Sequence, residues 1–225
     1  TRECADVLNW LRDFNAGRAE SDKVRFVGVE YYTTWRPAYD IVSAHVERVA
    51  PSLVPELSEH LKEIRPEEDD DAWEHAKWYM GVTDKKPYVQ HAQQTYDLVK
   101  ALPHRPGDRE YSLALHAARQ ILSFYMNYYI PFADALVYRD ARAAENLRWW
   151  RSYGDGKVVY WAASPHTAVA PDLRITQPPD PDMAFAGVGS YLRRWYGTDY
   201  RSIGFTFDHG TLPAENGDPV DVPPP

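Results

Sequence analysis

The chain has 225 residues, 44% of them hydrophobic and 14% aromatic, enough to bury a sizeable core in one large domain or two small ones. Its formal net charge of −8 leaves no basic field to hold a phosphate backbone, and no apolar run reaches the roughly 18 residues that span a bilayer, so neither nucleic-acid nor membrane partners are expected. A single cysteine, Cys4, excludes an internal disulfide and a Cys-based metal cluster.

The first element is an amphipathic helix over residues 3–16. Val7, Leu8, Leu11 and Phe14 recur at helical spacing, and Asn15-Ala16-Gly17 stops it. Arg2, Glu3 and Asp6 in its first turns argue against a signal peptide, and the expected compartment is the cytoplasm. The entry into a helix directly from Thr1 is the pattern of a fragment, a processed subunit or part of a longer polypeptide. Residues 23–32 read as a strand, an apolar β-branched run that reaches the carboxylate Glu30. A long helical region follows from about 37 to about 150, punctuated by Pro51, Pro55, Pro66, Pro87, Pro103 and Pro131. Within it Glu67 to Asp71 is an acidic run that opens a solvated helix, residues 113–129 form an apolar helix that Pro131 ends or kinks, and Asp140 stands where it could cap a helix over 140–150.

A turn at 153–156 leads into a second predicted strand, 157–163, which runs into Ser164-Pro165-His166. A Pro-rich loop at 171–182 precedes a helix over 187–196 whose glycines point to close packing. The third predicted strand, 202–208, ends at Asp208-His209-Gly210, and residues 213–225 are a Pro-rich tail. Strands that are apolar on both faces and alternate with helices indicate an α/β fold, a mainly parallel sheet with flanking helices. The connection between the first two strands is far longer than the dozen or so residues of a simple crossover, so residues 37–150 are expected to form a helical insertion, or lid, on a core of 1–36 and 151–212.

Ligands of open α/β sheets bind beyond the carboxyl ends of the strands. Those ends carry Glu30, Ser164, His166, Asp208 and His209, with Pro165 stiffening the approach to the histidine. An ordinary exposed loop histidine at 166, a structural ion pair at Glu30 and a plain turn at 208–210 are the bland readings of the same residues. His116 is the helical histidine best suited to face a cleft, since it lies on an apolar helix with Arg119 three residues on. The aromatic stretch from Phe124 to Tyr129 offers Tyr125 and Tyr128 as cleft walls for a large substrate. No Gly-x-Ser-x-Gly elbow, phosphate-cradling glycine loop or His-Glu-x-x-His helix is present. Neither a metal nor a cofactor is expected.

Several segments in a shared order resemble the erythromycin esterase family, which includes proteins described under succinoglycan synthesis. They are WLRDFN from Trp10 to Asn15, VGVE ending at Glu30, RDARAAEN from Arg139 to Asn146 with Trp149 beyond it, WAASPH from Trp161 to His166, GSYLRRWYGTDY from Gly189 to Tyr200, and GFTFDHG from Gly204 to Gly210. The chain departs from the family pattern at Ala163 and Ser164, where relatives have histidine and asparagine, at Glu30 in place of an aspartate, and at Ala143 in place of a methionine. The family's Gly-Glu-x-x-His-Gly base motif does not occur in residues 1–225.

The resemblance implies metal-independent hydrolysis of a macrolide lactone or related ester by a histidine acting as general base on water. The family's own base and its partner glutamate belong to the Gly-Glu-x-x-His-Gly motif, so in this chain the resemblance makes His166 a supporting base behind the reacting groups or an oxyanion donor, able to take over as the base, and Glu30 an orienting carboxylate, with the aromatic helix carrying Tyr125 and Tyr128 lining an apolar cleft. Ser164, His116, Arg119, Asp208 and His209 are expected at the substrate from their placement in the chain. The resemblance also implies that a further N-terminal segment or a partner chain completes the site. Two other readings stay open at this stage. One is a binding homologue that has lost the chemistry, and the other is a glycosidase built on the carboxylate pair Glu30 and Asp208.

Overall fold

A computed structural model describes residues 2–67, 71–154, 156–176, 183–205, 210–213 and 219–222. The helices are α1 (Arg2–Asn15), α2 (Arg36–Val49), α3 (Val54–Leu61), α4 (Ala72–Gly81), α5 (Lys86–Lys100), α6 (Arg109–Asn127), α7 (Phe132–Gly154), the single turn α8 (Ser164–Thr167) and α9 (Val188–Tyr196). The strands are β1 (Leu173–Ile175), β2 (Met183–Phe185), β3 (Gly210–Pro213) and β4 (Pro219–Val222).

Local chemistry sets the helix boundaries. The Asp71 carboxylate accepts from the Trp73 amide at 2.7 Å and caps α4, and Asp108 does the same for α6 from the Tyr111 amide at 2.9 Å. Prolines occupy the first turns of α2, α3 and α5, where their missing N–H costs nothing. Gly17 ends α1 with φ of 75°, in the left-handed region that favours glycine.

Two cores form. Helices α2 to α6 enclose Tyr39, Val42, Ile64, Tyr79, Ile121 and Phe124, and each fully buried side chain of this size contributes about 1.5–3 kcal/mol. Helices α7 and α9 meet over Ala143, Ala144, Leu147, Val188 and Leu192. The helical stretch from α2 to α7 therefore supplies most of the helices among the described residues.

The expected mainly parallel sheet is absent among the described residues. The strands form two small antiparallel pairs, β1 with β2 and β3 with β4. Residues 23–31, 157–162 and 201–205 belong to no helix and no ladder. A strand is defined by a neighbour's N–H and C=O groups, and an apolar run does not supply that neighbour. Val29 and Tyr160 pack onto the α7–α9 core, as does Tyr200 just before the third predicted strand, whereas residues 201–205 are exposed throughout.

Three smaller expectations also change. Asp140 does not open a helix but lies within the 23-residue α7. The stretch read as a loop at 171–182 contains β1, and the tail contains β4. Asp208 and His209 lie outside the described residues, so the third predicted strand can be followed only to Phe205.

Candidate functional site

Helix α7 carries Asp140, Ala143, Ala144 and Leu147 at i, i+3, i+4 and i+7, so all four share one buried face. The two alanines leave room for α9 to approach. At the start of α9 the glycines bring a second neighbour close. A Cβ on Gly187 would collide with the Pro165 carbonyl oxygen, and a Cβ on Gly189 with those of Thr167 and Ala168. This close approach seats the α8 turn, and with it His166, against the α7–α9 pair. Tyr200 fixes the far side of the turn by donating from its hydroxyl to the Thr167 carbonyl at 2.5 Å.

His166 is thereby held over Asp140. Its Nδ1 lies 3.0 Å from Oδ1 and 2.9 Å from Oδ2 of a carboxylate only 1% exposed. The Val188 amide, at the N-terminus of α9, donates to the same Oδ2 at 3.1 Å. Two donors and the positive end of a helix dipole compensate a charge that burial alone would make costly. A carboxylate can only accept, so Nδ1 carries the proton and the Nε2 lone pair points away from Asp140. Nε2 makes no hydrogen bond among the described residues, and the His166 side chain keeps 16% of its surface open.

The residue before Asp140 builds a second pair. Arg139 donates from Nε to Glu30 Oε2 at 2.8 Å, and the Tyr160 hydroxyl donates to Glu30 Oε1 at 3.4 Å. Burial works against the charge on Arg139, but the hydrogen bond and charge of Glu30 outweigh it and raise its pKa. Burial, then the charges of Glu30 and Asp140, push the Tyr160 phenol well above its ordinary range, so it remains a donor. The guanidinium also lies over the Tyr32 ring, 4.6 Å from its centroid. Further along α7, Asn146 donates to the Val29 carbonyl at 2.7 Å and exchanges two 2.8 Å hydrogen bonds with Gln120. Consecutive residues of α7 thus hold Glu30 and His166, and Asn146 ties the segment before Glu30 to both long helices.

His116 and Arg119 lie elsewhere, in an open cleft of about 400 Å³ bounded by α6 and α7, whose lining also includes Tyr96, Glu145 and Trp149 but not His166. The His116 ring stacks on Trp149 with centroids 3.7 Å apart. Burial, and then the Arg119 charge, push its pKa down to about 4, so it is neutral near pH 7. Arg119 is paired with Glu145, which Arg142 also holds. Tyr125 is not a cleft wall. It is wholly buried in the helical core, its hydroxyl donating to the Ile64 carbonyl at 2.5 Å and lying 2.8 Å from His75 Nε2. Tyr128 donates to the Tyr32 carbonyl at 2.9 Å and so braces the Glu30 segment. Ser164 opens α8, its carbonyl accepting from the Ala168 amide, with its side chain exposed. Among the described residues no group of three or more His, Cys, Asp and Glu side chains gathers to hold a metal.

The residue that sequence reasoning missed is Asp140, which had been assigned to a helix cap. The usable signal was its spacing: a carboxylate three, four and seven residues before Ala143, Ala144 and Leu147 sits on an apolar face, where a charge needs a partner.

The family model for erythromycin esterase matches residues 1–225. The chain belongs to the erythromycin esterase family. Arg139, Asp140, Asn146 and His166, which all fall in the segments that resemble the family, are the residues that make the contacts described above. Two solved structures are similar over the whole chain at 22% identity. One is a protein from Bacillus cereus, with a TM-score of 0.79, and the other is a succinoglycan biosynthesis protein, with a TM-score of 0.75. At that identity they show the shared fold alone. The chain spans 54% of the length of each. No curated protein matches it. Among the described residues no helix is long and apolar enough to cross a membrane.

Proposed function

We propose that this erythromycin esterase family chain contributes the base side of an ester-hydrolysing site, with a macrolide lactone or a related ester as substrate. The observation that carries the reading is the buried Asp140 carboxylate that holds His166 through Nδ1 and leaves Nε2 free. In the proposed reaction Nε2 takes a proton from water as the water oxygen bonds to the ester carbonyl carbon. Asp140 stabilises the imidazolium that forms. The carbonyl oxygen carries the developing negative charge, and collapse breaks the acyl–oxygen bond as Nε2 returns the proton to the leaving alkoxide. Glu30 acts through Arg139 and Tyr160, holding both donors in place, and is a positioning residue here. General-base assistance of this kind contributes typically about 10²–10⁴-fold.

The test is hydrolysis of an aryl ester and of a macrolide lactone by the purified protein and by His166→Ala. A fall of about 10²–10⁴-fold in the variant is expected. Turnover that is indifferent to His166→Ala sinks the reading. A binding homologue without chemistry is the second reading, favoured by Ala163 and Ser164 in place of the family's histidine and asparagine. It predicts lactone binding with no turnover in either form. The carboxylate-pair alternative is disfavoured, because Glu30 is engaged by Arg139 and Tyr160.

A further inference from the structure

The cleft between α6 and α7 is a separate place from the His166 site. Trp149, on its α7 wall, follows Asp140 by nine residues, about 13.5 Å along the helix axis and half a turn around it, so the two lie on opposite sides of α7. The cleft's volume of about 400 Å³ falls in the range of about 300–1,000 Å³ usual for small-molecule sites. Its rim is held by local contacts. Arg105-Pro106-Gly107-Asp108 has proline and then glycine at the centre of a type II turn, with Gly107 at φ 79° and the Asp108 amide donating to the Arg105 carbonyl at 3.1 Å. His104, just before that turn, lies flat on Tyr111 with ring centroids 3.6 Å apart, and its Nδ1 is 3.0 Å from the Leu102 carbonyl. The backbone that carries Arg105 is thus anchored on both sides.

The lining divides into aromatic surface and unused polar groups. Tyr96, Tyr111 and the stacked His116–Trp149 pair supply the rings. Ser112 and His116 stand at i and i+4 on one face of α6. The Ser112 oxygen accepts from the Trp149 indole N–H at 3.1 Å, and its own hydrogen has no acceptor among the described residues. The neutral His116 ring offers one N–H and one lone pair, neither of them hydrogen-bonded among the described residues. Both carboxylates of the lining are occupied: Asp108 caps α6, and Glu145 is shared by Arg119 and Arg142. The Arg105 side chain, in contrast, makes no ion pair or hydrogen bond among the described residues. The uncompensated charge at the cleft is therefore positive, on a chain whose net charge is −8.

We infer that the α6–α7 cleft is a second binding site, for a small planar aromatic molecule that carries an acidic group, carboxylate or phosphate. Its ring lies among Tyr96, Tyr111 and His116, and its acidic oxygens accept from Arg105 and the Ser112 hydroxyl. A flat ring suits these walls because aromatic faces and edges attract one another. A neutral apolar molecule would leave Arg105 without a partner, and an anion without a ring would leave the aromatic walls in water. Arg105 is suited to the acidic group because a guanidinium meets a carboxylate or a phosphate through two parallel N–H donors. The inference does not rest on the hydrolysis assigned to His166.

The test is titration calorimetry on the purified protein. Naphthoate and adenosine monophosphate serve as the carboxylate and phosphate probes. Cyclohexanecarboxylate lacks the flat ring, and naphthalenemethanol lacks the charge. At least one of the two aromatic anions should bind saturably, one molecule per chain, with a Kd below about 1 mM, and the tighter of them identifies the acidic group. Both control molecules should bind at least about 10-fold more weakly, and Arg105→Gln, an exposed change that leaves the turn backbone as it is, should weaken the aromatic anion by about 10-fold. His166→Ala should leave the affinity unchanged. Absence of saturable binding by either aromatic anion overturns the inference, and so does binding that Arg105→Gln leaves as it was. Equal affinity for cyclohexanecarboxylate or naphthalenemethanol overturns it too. Binding lost in His166→Ala would put the molecule in the other site and overturn it as well. Ester hydrolysis is not read in any of these arms, so a failed hydrolase assignment would leave the outcome interpretable.

Discussion

Replacing Asp140 by asparagine separates the structural and chemical roles of the His166 contact. In the native site Oδ2 accepts from both the Val188 amide and Nδ1, and Oδ1 accepts from Nδ1. Asparagine has one oxygen and one NH2 group. The backbone N–H of Val188 cannot surrender its proton, so the amide oxygen should occupy the Oδ2 position. The NH2 group then sits about where Oδ1 was, 3.0 Å from Nδ1. Two donors at that distance repel. The conflict is relieved if the imidazole moves its proton to Nε2, and Nδ1 then accepts from the new amide. Only the second N–H of the new amide lacks an acceptor, so the stability loss should be about 1 kcal/mol. Asp140→Ala leaves at least one buried donor without an acceptor, at about 1–3 kcal/mol. That corresponds to a melting temperature lower by several degrees for a chain of this size. The decisive readout is the imidazole tautomer, from nitrogen-15 shifts of His166 at alkaline pH in both proteins, alongside urea denaturation. The expected result is Nδ1–H in the native protein and Nε2–H in Asp140→Asn, with ester hydrolysis down by about 10²–10⁴-fold where it is present. An Asp140→Asn protein that keeps the Nδ1–H tautomer would refute the reasoning, whatever its activity.

His116 should make stability fall in acid. Its folded pKa of about 4 lies below the ordinary 6.5, so the unfolded chain binds the extra proton and stability declines as pH drops from about 6.5 towards 4, by up to about 2 kcal/mol near pH 5. Urea midpoints for the native protein and His116→Phe, which keeps the stack on Trp149 but cannot titrate, should diverge over that window and run parallel above it. Gly189→Ala should cost about 1–3 kcal/mol or more, because its Cβ meets the rigid carbonyls of Thr167 and Ala168, whereas Gly81→Ala, with open space around it, should be neutral or slightly stabilising by thermal melting. Tyr125→Phe should lose about 1–3 kcal/mol in urea titrations without altering His166 chemistry, since its hydroxyl serves the Ile64 carbonyl and His75 inside the helical core.

The helices were legible because their signals are local. The apolar spacing of residues 3–16 and the prolines that open α2, α3 and α5 act within a few residues of chain. The sheet was misread for a reason of the same kind in reverse. Residues such as Val158 to Trp161 have the apolar, β-branched and aromatic composition of a buried strand, but a ladder is a property of two segments, and composition in one says nothing of its neighbour. His166 and Glu30 were singled out as strand ends of an expected sheet that the described residues do not form, and the structure instead places them on two neighbouring residues of α7, Asp140 and Arg139. Asp140 was missed because its role depends on a residue 26 positions away. Tyr125 was misplaced because an aromatic run looks alike whether it faces a cleft or a core. The contact that decides it, to Ile64, is 61 residues distant.

The two ion pairs of α7 divide between two parts of the fold. Consecutive helical residues point about 100° apart, so Arg139 and Asp140 cannot serve one partner and instead reach two. Asp140 reaches inward to α9 and His166, which the Gly187 and Gly189 contacts hold from behind. Arg139 reaches Glu30 at the end of segment 23–31, and Tyr160 of segment 157–162 completes that pair. The first arm is closed among the described residues: a buried carboxylate, a backbone donor and a turn packed on glycines. The second arm joins two segments that belong to no ladder, through one carboxylate, one guanidinium and one phenol. Arg139→Gln should therefore loosen Glu30 and Tyr160 while leaving the His166 tautomer, set by Asp140 and Val188, as it was. Loss of the Nδ1–H tautomer in Arg139→Gln would mean that the Asp140 arm also depends on the Glu30 arm, contrary to the packing of α7, α8 and α9.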